Sequence, residues 1–182
     1  MARRTYRLGK RRVLADQTRE LILRAAQDEL MTGTWSVGGV ARRAEVTRIT
    51  VYNHFGSKAG LLQALESQVR PEVPPPSPDA AARDQLQQRL ATACSTWASN
   101  PSLFRRLPRA NPGDESEQNR QLADLLATGD ELRPGCSIKE AEDVIGALTS
   151  FEVFDRLSKD GRRSPAAVAE ILGRLAAGIL AR

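Results

Sequence analysis

Cysteine and histidine are nearly absent from this chain. Cys94 and Cys136 are the two cysteines among 182 residues, too few for a disulfide framework, so a reducing cytoplasm is the expected compartment. His54 is the one histidine. No Cys or acidic cluster is spaced to help it bind a metal, and a lone imidazole argues against a hydrolytic triad. Long apolar runs are missing as well. No stretch of about 18 apolar residues exists, so no membrane helix is expected, and no apolar core of a secretory signal follows the basic N-terminus. A phosphate-cradling glycine loop, a recognisable pair of catalytic carboxylates and a nucleophile elbow are all lacking. Neither an enzyme nor a cofactor is therefore expected. Strand alternation and internal repeats are also wanting, which leaves an all-α chain.

Charge is present, but unevenly spread. The net charge is +5. Residues 1–70 hold 13 Lys and Arg against 6 Asp and Glu, whereas residues 71–182 hold 14 against 16. A basic third on a slightly acidic remainder is the footprint of a nucleic-acid-binding module joined to something else. A basic tail that only aids solubility would give the same totals.

The opening segment, residues 1–15, carries six Arg and Lys and no acid. It reads as a flexible basic arm. From Asp16 the spacing of Leu21, Ile22, Ala25, Ala26 and Leu30 predicts an amphipathic helix ending near Gly33. Ser36 is placed to cap a second helix over 37–43, Thr47 a third over about 48–53, and Ser57 a fourth that Pro71 ends. Residues 71–78, PEVPPPSP, hold five prolines and read as a semi-rigid linker of roughly 25 Å. Beyond it, Ser77-Pro78-Asp79 is a strong helix start. A short helix follows Asn100-Pro101, another spans about 116–128, and Ser137 with Glu140 forms a capping box opening a helix to about Lys159. Ser164-Pro165 opens the last. The expected architecture is all-α with about nine helices: a DNA-binding domain over 16–70 and a helical body over 79–182.

Residues 37–55 carry the chemistry. Two short helices are separated by three or four residues, with small Ala41 at the close approach and Val40, Val46 and Val51 in core positions. This is helix-turn-helix spacing, in which the second helix enters the major groove. The following TVYNHFGSKAGLLQAL, with Tyr52-Asn53-His54-Phe55, Ser57-Lys58 and Leu61-Leu62, is more specific. Together with the residues before it, over roughly 18–66, it resembles the N-terminal domain of the TetR family of bacterial transcriptional regulators.

That resemblance implies a homodimeric, ligand-responsive DNA-binding protein, usually a repressor released from a palindromic operator by a small molecule. A ligand-independent or architectural DNA-binding protein is the alternative. Arg48, Ile49, Thr50 and Asn53 fall at groove-facing positions. Arg suits guanine, Asn suits adenine, and Thr and Ile suit a thymine methyl. Ser36, Thr47, Tyr52, His54 and Lys58 fall where the family contacts phosphates, and Arg42 or Arg43 offers a further backbone contact. Arg3, Arg4, Arg7, Lys10, Arg11 and Arg12 of the arm are candidates for the minor groove. Phe55 and Trp35 read as packing residues. Glu45 stands in the turn where the family usually has glycine, which predicts strain of roughly 1 kcal/mol.

In the body, Trp97, Phe104, Leu107, Leu122, Leu126, Phe151 and Phe154 are the candidate ligand pocket; each is also a plausible core residue. The last helix carries the broad apolar stripe Ile171, Leu172, Leu175 and Ile179, a candidate dimer interface.

Overall fold

A computed structural model describes the backbone of residues 2–33, 35–70, 75–107 and 113–181, with side chains from Val13 onward except at 113–115. Ten helices occur among the described residues: α1 (Ala2–Met31), α2 (Val37–Arg43), α3 (Arg48–Phe55), α4 (Lys58–Val69), α5 (Ala82–Ser99), α6 (Pro101–Phe104), α7 (Gly113–Thr128), α8 (Ile138–Thr149), α9 (Phe151–Ser158) and α10 (Pro165–Ala176). An isolated bridge pairs Leu132 with Leu180. The chain forms two compact units, one of α1–α4 joined by the segment that begins at Arg105, the other of the remaining helices.

In the first unit, Ile22, Leu23, Ala26 and Leu30 of α1 are buried, as are Val40 and Ala41 of α2, Val51 of α3, and Leu61 and Leu65 of α4. Each of α2, α3 and α4 starts on a side-chain cap. The hydroxyls of Ser36, Thr47 and Ser57 accept from the N–H groups of Gly39, Thr50 and Gly60. These bonds satisfy donors that a helix start otherwise leaves open. At the other end of α1, Arg106 Nη1 donates to the Leu30 carbonyl at 3.3 Å, occupying one of the open acceptors there.

The start of α1 differs from the flexible arm expected over 1–15, since the helical backbone begins at Ala2. No proline interrupts residues 2–15, and Arg, Lys, Leu and Ala favour helix. The packed turns downstream supply the nucleus, so adding turns costs only propagation. The arm side chains Arg3, Arg4, Arg7, Lys10, Arg11 and Arg12 lie outside the described ones. Leu21, expected inward, is 53% exposed.

In the second unit, α5 places Leu86, Leu90, Cys94 and Trp97 against Leu122 and Leu126 of α7, Ile145 of α8 and Leu172 of α10, all buried. Buried Asn119 is satisfied by Arg89, whose Nε and Nη2 donate to its Oδ1 at 2.9 and 2.8 Å. Arg83 ties Glu131 to the Ala181 carbonyl, 2.7 Å to each.

Two helices of this unit depart from the sequence reading. Helix α5 starts at Ala82, not at Asp79: the Ser77 hydroxyl accepts from Asp79 N instead, and the Gln85 side chain holds Ser77 N, Ser77 O and Ala80 O in a turn. The helix expected over 137–159 breaks at Ser150, which ends α8 and caps α9 at ψ 150°. The Thr149 carbonyl is taken by Trp97 Nε1 at 2.9 Å, a bond that suits the break. Of the capping box only half forms. Ser137 Oγ accepts from Glu140 N, while the Glu140 carboxylate accepts from Arg133. Linker residues 71–74 lie outside those described.

Candidate nucleic-acid interface

The turn between α2 and α3 determines how the recognition helix stands. Val46 N donates to the Ala41 carbonyl at 2.9 Å and Glu45 N to that of Arg42 at 3.2 Å. Glu45 sits at φ 54°, in the left-handed region. An L side chain there crowds its own backbone, so this turn carries the strain that glycine would relieve.

Helix α3 is short and exposes half of its residues. Val51 is buried, but Ile49 is 71% and Tyr52 45% exposed, and Asn53 and Arg48 are exposed beside them. Thr50 is half-buried, its hydroxyl 2.9 Å from that of Thr47. The two threonines are thus spent partly on the helix start. His54 is half-buried with its ring 6.2 Å from that of Phe55. Phe55 itself is half-buried under the Arg19 guanidinium, 5.2 Å from its ring centre. Lys58 Nζ donates to the Trp35 carbonyl at 3.4 Å and stands 6.0 Å from the indole ring. The ammonium is thereby held at the start of α4, with the remaining donors facing solvent.

Two features went unseen in the sequence. The first is Glu29, whose side chain is 8% exposed. It pairs with Arg43 Nε at 2.8 Å. A Cβ on residue 39 would fall 1.6 Å from Glu29 Oε1, so Gly39 provides the space in which α1 delivers a carboxylate to α2. Arg43 is committed there by its ion pair, although its side chain is 43% exposed, and Arg42 is exposed beside it. The second is Gly60, where a Cβ would meet the Phe55 carbonyl oxygen and force α3 and α4 apart. The sequence signal was glycine inside a helix, which costs stability unless closeness requires it. Gly38 is different: a Cβ there would lie 2.7 Å from Arg48 Nη2. Ser36, Gly38, Arg42, Val46 and Arg48 line an open cleft of about 430 Å³.

The other candidate sites lie in the body. Trp97, Phe104, Leu122, Leu126 and Phe154 are all buried; Phe151 and Leu107 are half-buried, and Leu107 belongs to the segment grouped with the first unit. Trp97 meets Phe104 edge-on at 4.8 Å and Phe151 at 5.7 Å, and Phe151 meets Phe154 at 6.5 Å. These rings fill the space between their helices with one another. On α10 and just beyond it, Leu172 and Ile179 are 1% and 3% exposed. Their own chain covers them, which corrects their assignment to a dimer interface. Leu175 is 53% exposed and Ile171 half-exposed. Burial pushes the Cys94 thiol up to about 11. Among the described residues no helix is long and apolar enough to cross a membrane.

Residues 32–65 match the family model of bacterial regulatory proteins of the tetR family. The HTH-type transcriptional regulator AlkX of Mycobacterium tuberculosis is 46% identical over 48 residues, which cover 25% of this chain and 23% of that protein. The whole fold is similar to NalD, the secondary repressor of the MexAB-OprM multidrug efflux pump in Pseudomonas aeruginosa. That likeness has a TM-score of 0.68 at 24% identity and covers 92% of this chain and 98% of that one. TylP, a TetR regulator from Streptomyces fradiae, gives 0.63 at 21% identity, covering 92% and 88%. The local sequence match is thus to the DNA-binding segment of the tetR family, and the fold around it is like that of solved TetR regulators.

Proposed function

We propose that the chain is a homodimeric repressor that reads a palindromic operator and leaves it when a small molecule enters the body. The observation that carries the DNA reading is Ile49. A large apolar side chain 71% exposed, on the outer face of the second helix of a helix-turn-helix, suits a thymine methyl in the major groove. Thr50 and Asn53 supply polar base contacts beside it. Lys58, Tyr52, Thr47, Ser36 and His54 serve the backbone, as does the arm 3–12. Dimerisation is supported by exposed Leu175 with Ile171, and by the short reach of one recognition helix. Ligand response is supported by the aromatic cluster of α5, α6 and α9, where parting of half-exposed Phe151 from Trp97 would open an apolar site. Such a ligand releases DNA only if it binds the two conformations unequally.

Asn53→Ala and Ile49→Ala test the reading against a set of single-base-pair variants of a bound duplex. Each is expected to relax preference at particular pairs, by about 1–3 kcal/mol. Equal loss on every duplex would refute base reading by α3. A melting-shift screen of apolar small molecules, followed by DNA anisotropy with any that bind, tests the response. A ligand that stabilises the body and leaves DNA affinity unchanged would refute release.

A further inference from the structure

We propose that Arg48 and Arg42 form a cradle for one backbone phosphate of bound DNA, and that Gly38 keeps the cradle open. The inference rests on the DNA-binding reading above and reassigns Arg48, which the sequence pattern puts among the base readers. Arg48 leaves the first turn of α3, and its guanidinium lies against Gly38 of α2. An ideal Cβ at residue 38 would come within 2.7 Å of its Nη2, 3.0 Å of its Nε and 3.2 Å of its Cζ. Arg42 is one turn beyond Gly38 on the same face of α2. Both arginines line the cleft of about 430 Å³, which the Ser36 side of α2 and Val46 complete. Among the described residues neither has an acidic partner, whereas the adjacent Arg43 is bound to Glu29 at 2.8 Å.

Two unneutralised guanidinium groups facing one open cleft repel each other until an anion joins them. A planar guanidinium offers paired N–H donors that match phosphate oxygens. The anion that a protein of this fold meets on this face is the DNA backbone. Sequence discrimination then rests on Ile49, Thr50 and Asn53.

Gly38 makes the idea testable without breaking the fold. Alanine there meets the free end of an arginine side chain, which can swing away, and it favours the helix. The guanidinium is nevertheless pushed out of the cleft. Stability and DNA affinity are thus expected to move in opposite directions.

The probe is a duplex recovered by the wild-type protein from random-sequence DNA, together with its single-base variants, measured by fluorescence anisotropy at several salt concentrations. Arg48→Ala, Arg42→Ala and Gly38→Ala are each expected to weaken binding about tenfold or more, by the same factor on every variant duplex. Arg48→Ala lowers the salt slope by about one. Gly38→Ala keeps or raises the urea midpoint and adds nothing in the Arg48→Ala background. A neutral methylphosphonate placed at each backbone position in turn identifies one phosphate whose neutralisation weakens wild type, weakens Arg48→Ala less, and leaves the Arg42→Ala/Arg48→Ala double variant unaffected. Loss of discrimination at one base pair in Arg48→Ala, with an unchanged salt slope, overturns the cradle while leaving DNA binding intact. Recovery of no duplex by the wild type overturns the DNA-binding reading itself, and the cradle with it.

Discussion

Replacing Gly39 by alanine is a small change that the structure makes expensive. In most helix interiors the substitution is stabilising by about 0.5–1 kcal/mol, because glycine has more freedom to lose. Here the new Cβ would lie 1.6 Å from Glu29 Oε1 and 2.3 Å from its Cδ, so the carboxylate must leave. With it goes the charge-assisted bond to Arg43 Nε at 2.8 Å. A hydrogen bond to a charged group contributes about 1.5–3 kcal/mol. Arg43 is nearly half exposed, which favours the lower part of that range, but Glu29 is 6% exposed and reaches water only by loosening α1 from α2. The two costs exceed the helix gain, and a net loss of about 2 kcal/mol follows. With a urea slope of about 2 kcal/mol per M, the unfolding midpoint falls by about 1 M. In a Glu29→Ala background the obstacle is gone, so the same Gly39→Ala change is expected to stabilise by about 0.5–1 kcal/mol. The reversal of sign, a coupling of about 2.5–3 kcal/mol, is the signature. Urea unfolding of the four proteins by circular dichroism measures it. Equal effects of Gly39→Ala in both backgrounds would refute the reasoning.

Glu45→Gly relieves the left-handed strain of the turn, about 1–2 kcal/mol, less the added freedom of the unfolded chain, about 0.4–1 kcal/mol. A gain of about 0.5–1 kcal/mol in urea unfolding is expected, and a loss would show that Glu45 is held by something other than strain. Leu175→Glu puts a charge on the exposed apolar position of α10 and should yield folded monomers in light scattering; a surviving folded dimer would place the interface elsewhere. Thiol labelling of the native protein at pH 8 should modify Cys136 quickly and Cys94 only on unfolding, so Cys136→Ser removes the fast phase. Because the Cys94 thiol is raised from 9.0 to about 11, the unfolded chain loses that proton first. Cys94 therefore lowers stability as pH rises from about 9 to 11, a decline that Cys94→Ala should lessen in urea unfolding.

The first unit was legible where one signal decided each feature. Ser36, Thr47 and Ser57 are caps because a hydroxyl three residues before a free N–H has few better uses, and their helices begin where the sequence put them. Glu45 was visible as the wrong residue for its turn, and its positive φ is the consequence. What stayed hidden depended on contacts between segments distant in sequence. Nothing in the local spacing marks Glu29, which meets Gly39 and Arg43, 10 and 14 positions on, only in the folded chain. The body was less legible for the same reason. An apolar stripe shows that Leu172 and Ile179 need cover, but not whether the cover is their own chain. At the break at Ser150 the Thr149 carbonyl accepts from the indole of Trp97, more than fifty positions earlier in the chain, a contact that local spacing does not reveal.

The central claim is that α3 reads DNA sequence, and selection from random-sequence duplexes by the purified full chain tests it most directly. The account predicts enrichment of an inverted repeat whose half-sites are centred one helical turn, about 34 Å, or a multiple of it apart, with conserved pairs that Asn53→Ala and Ile49→Ala no longer require. Retention of DNA with no sequence enriched over the starting pool would contradict it.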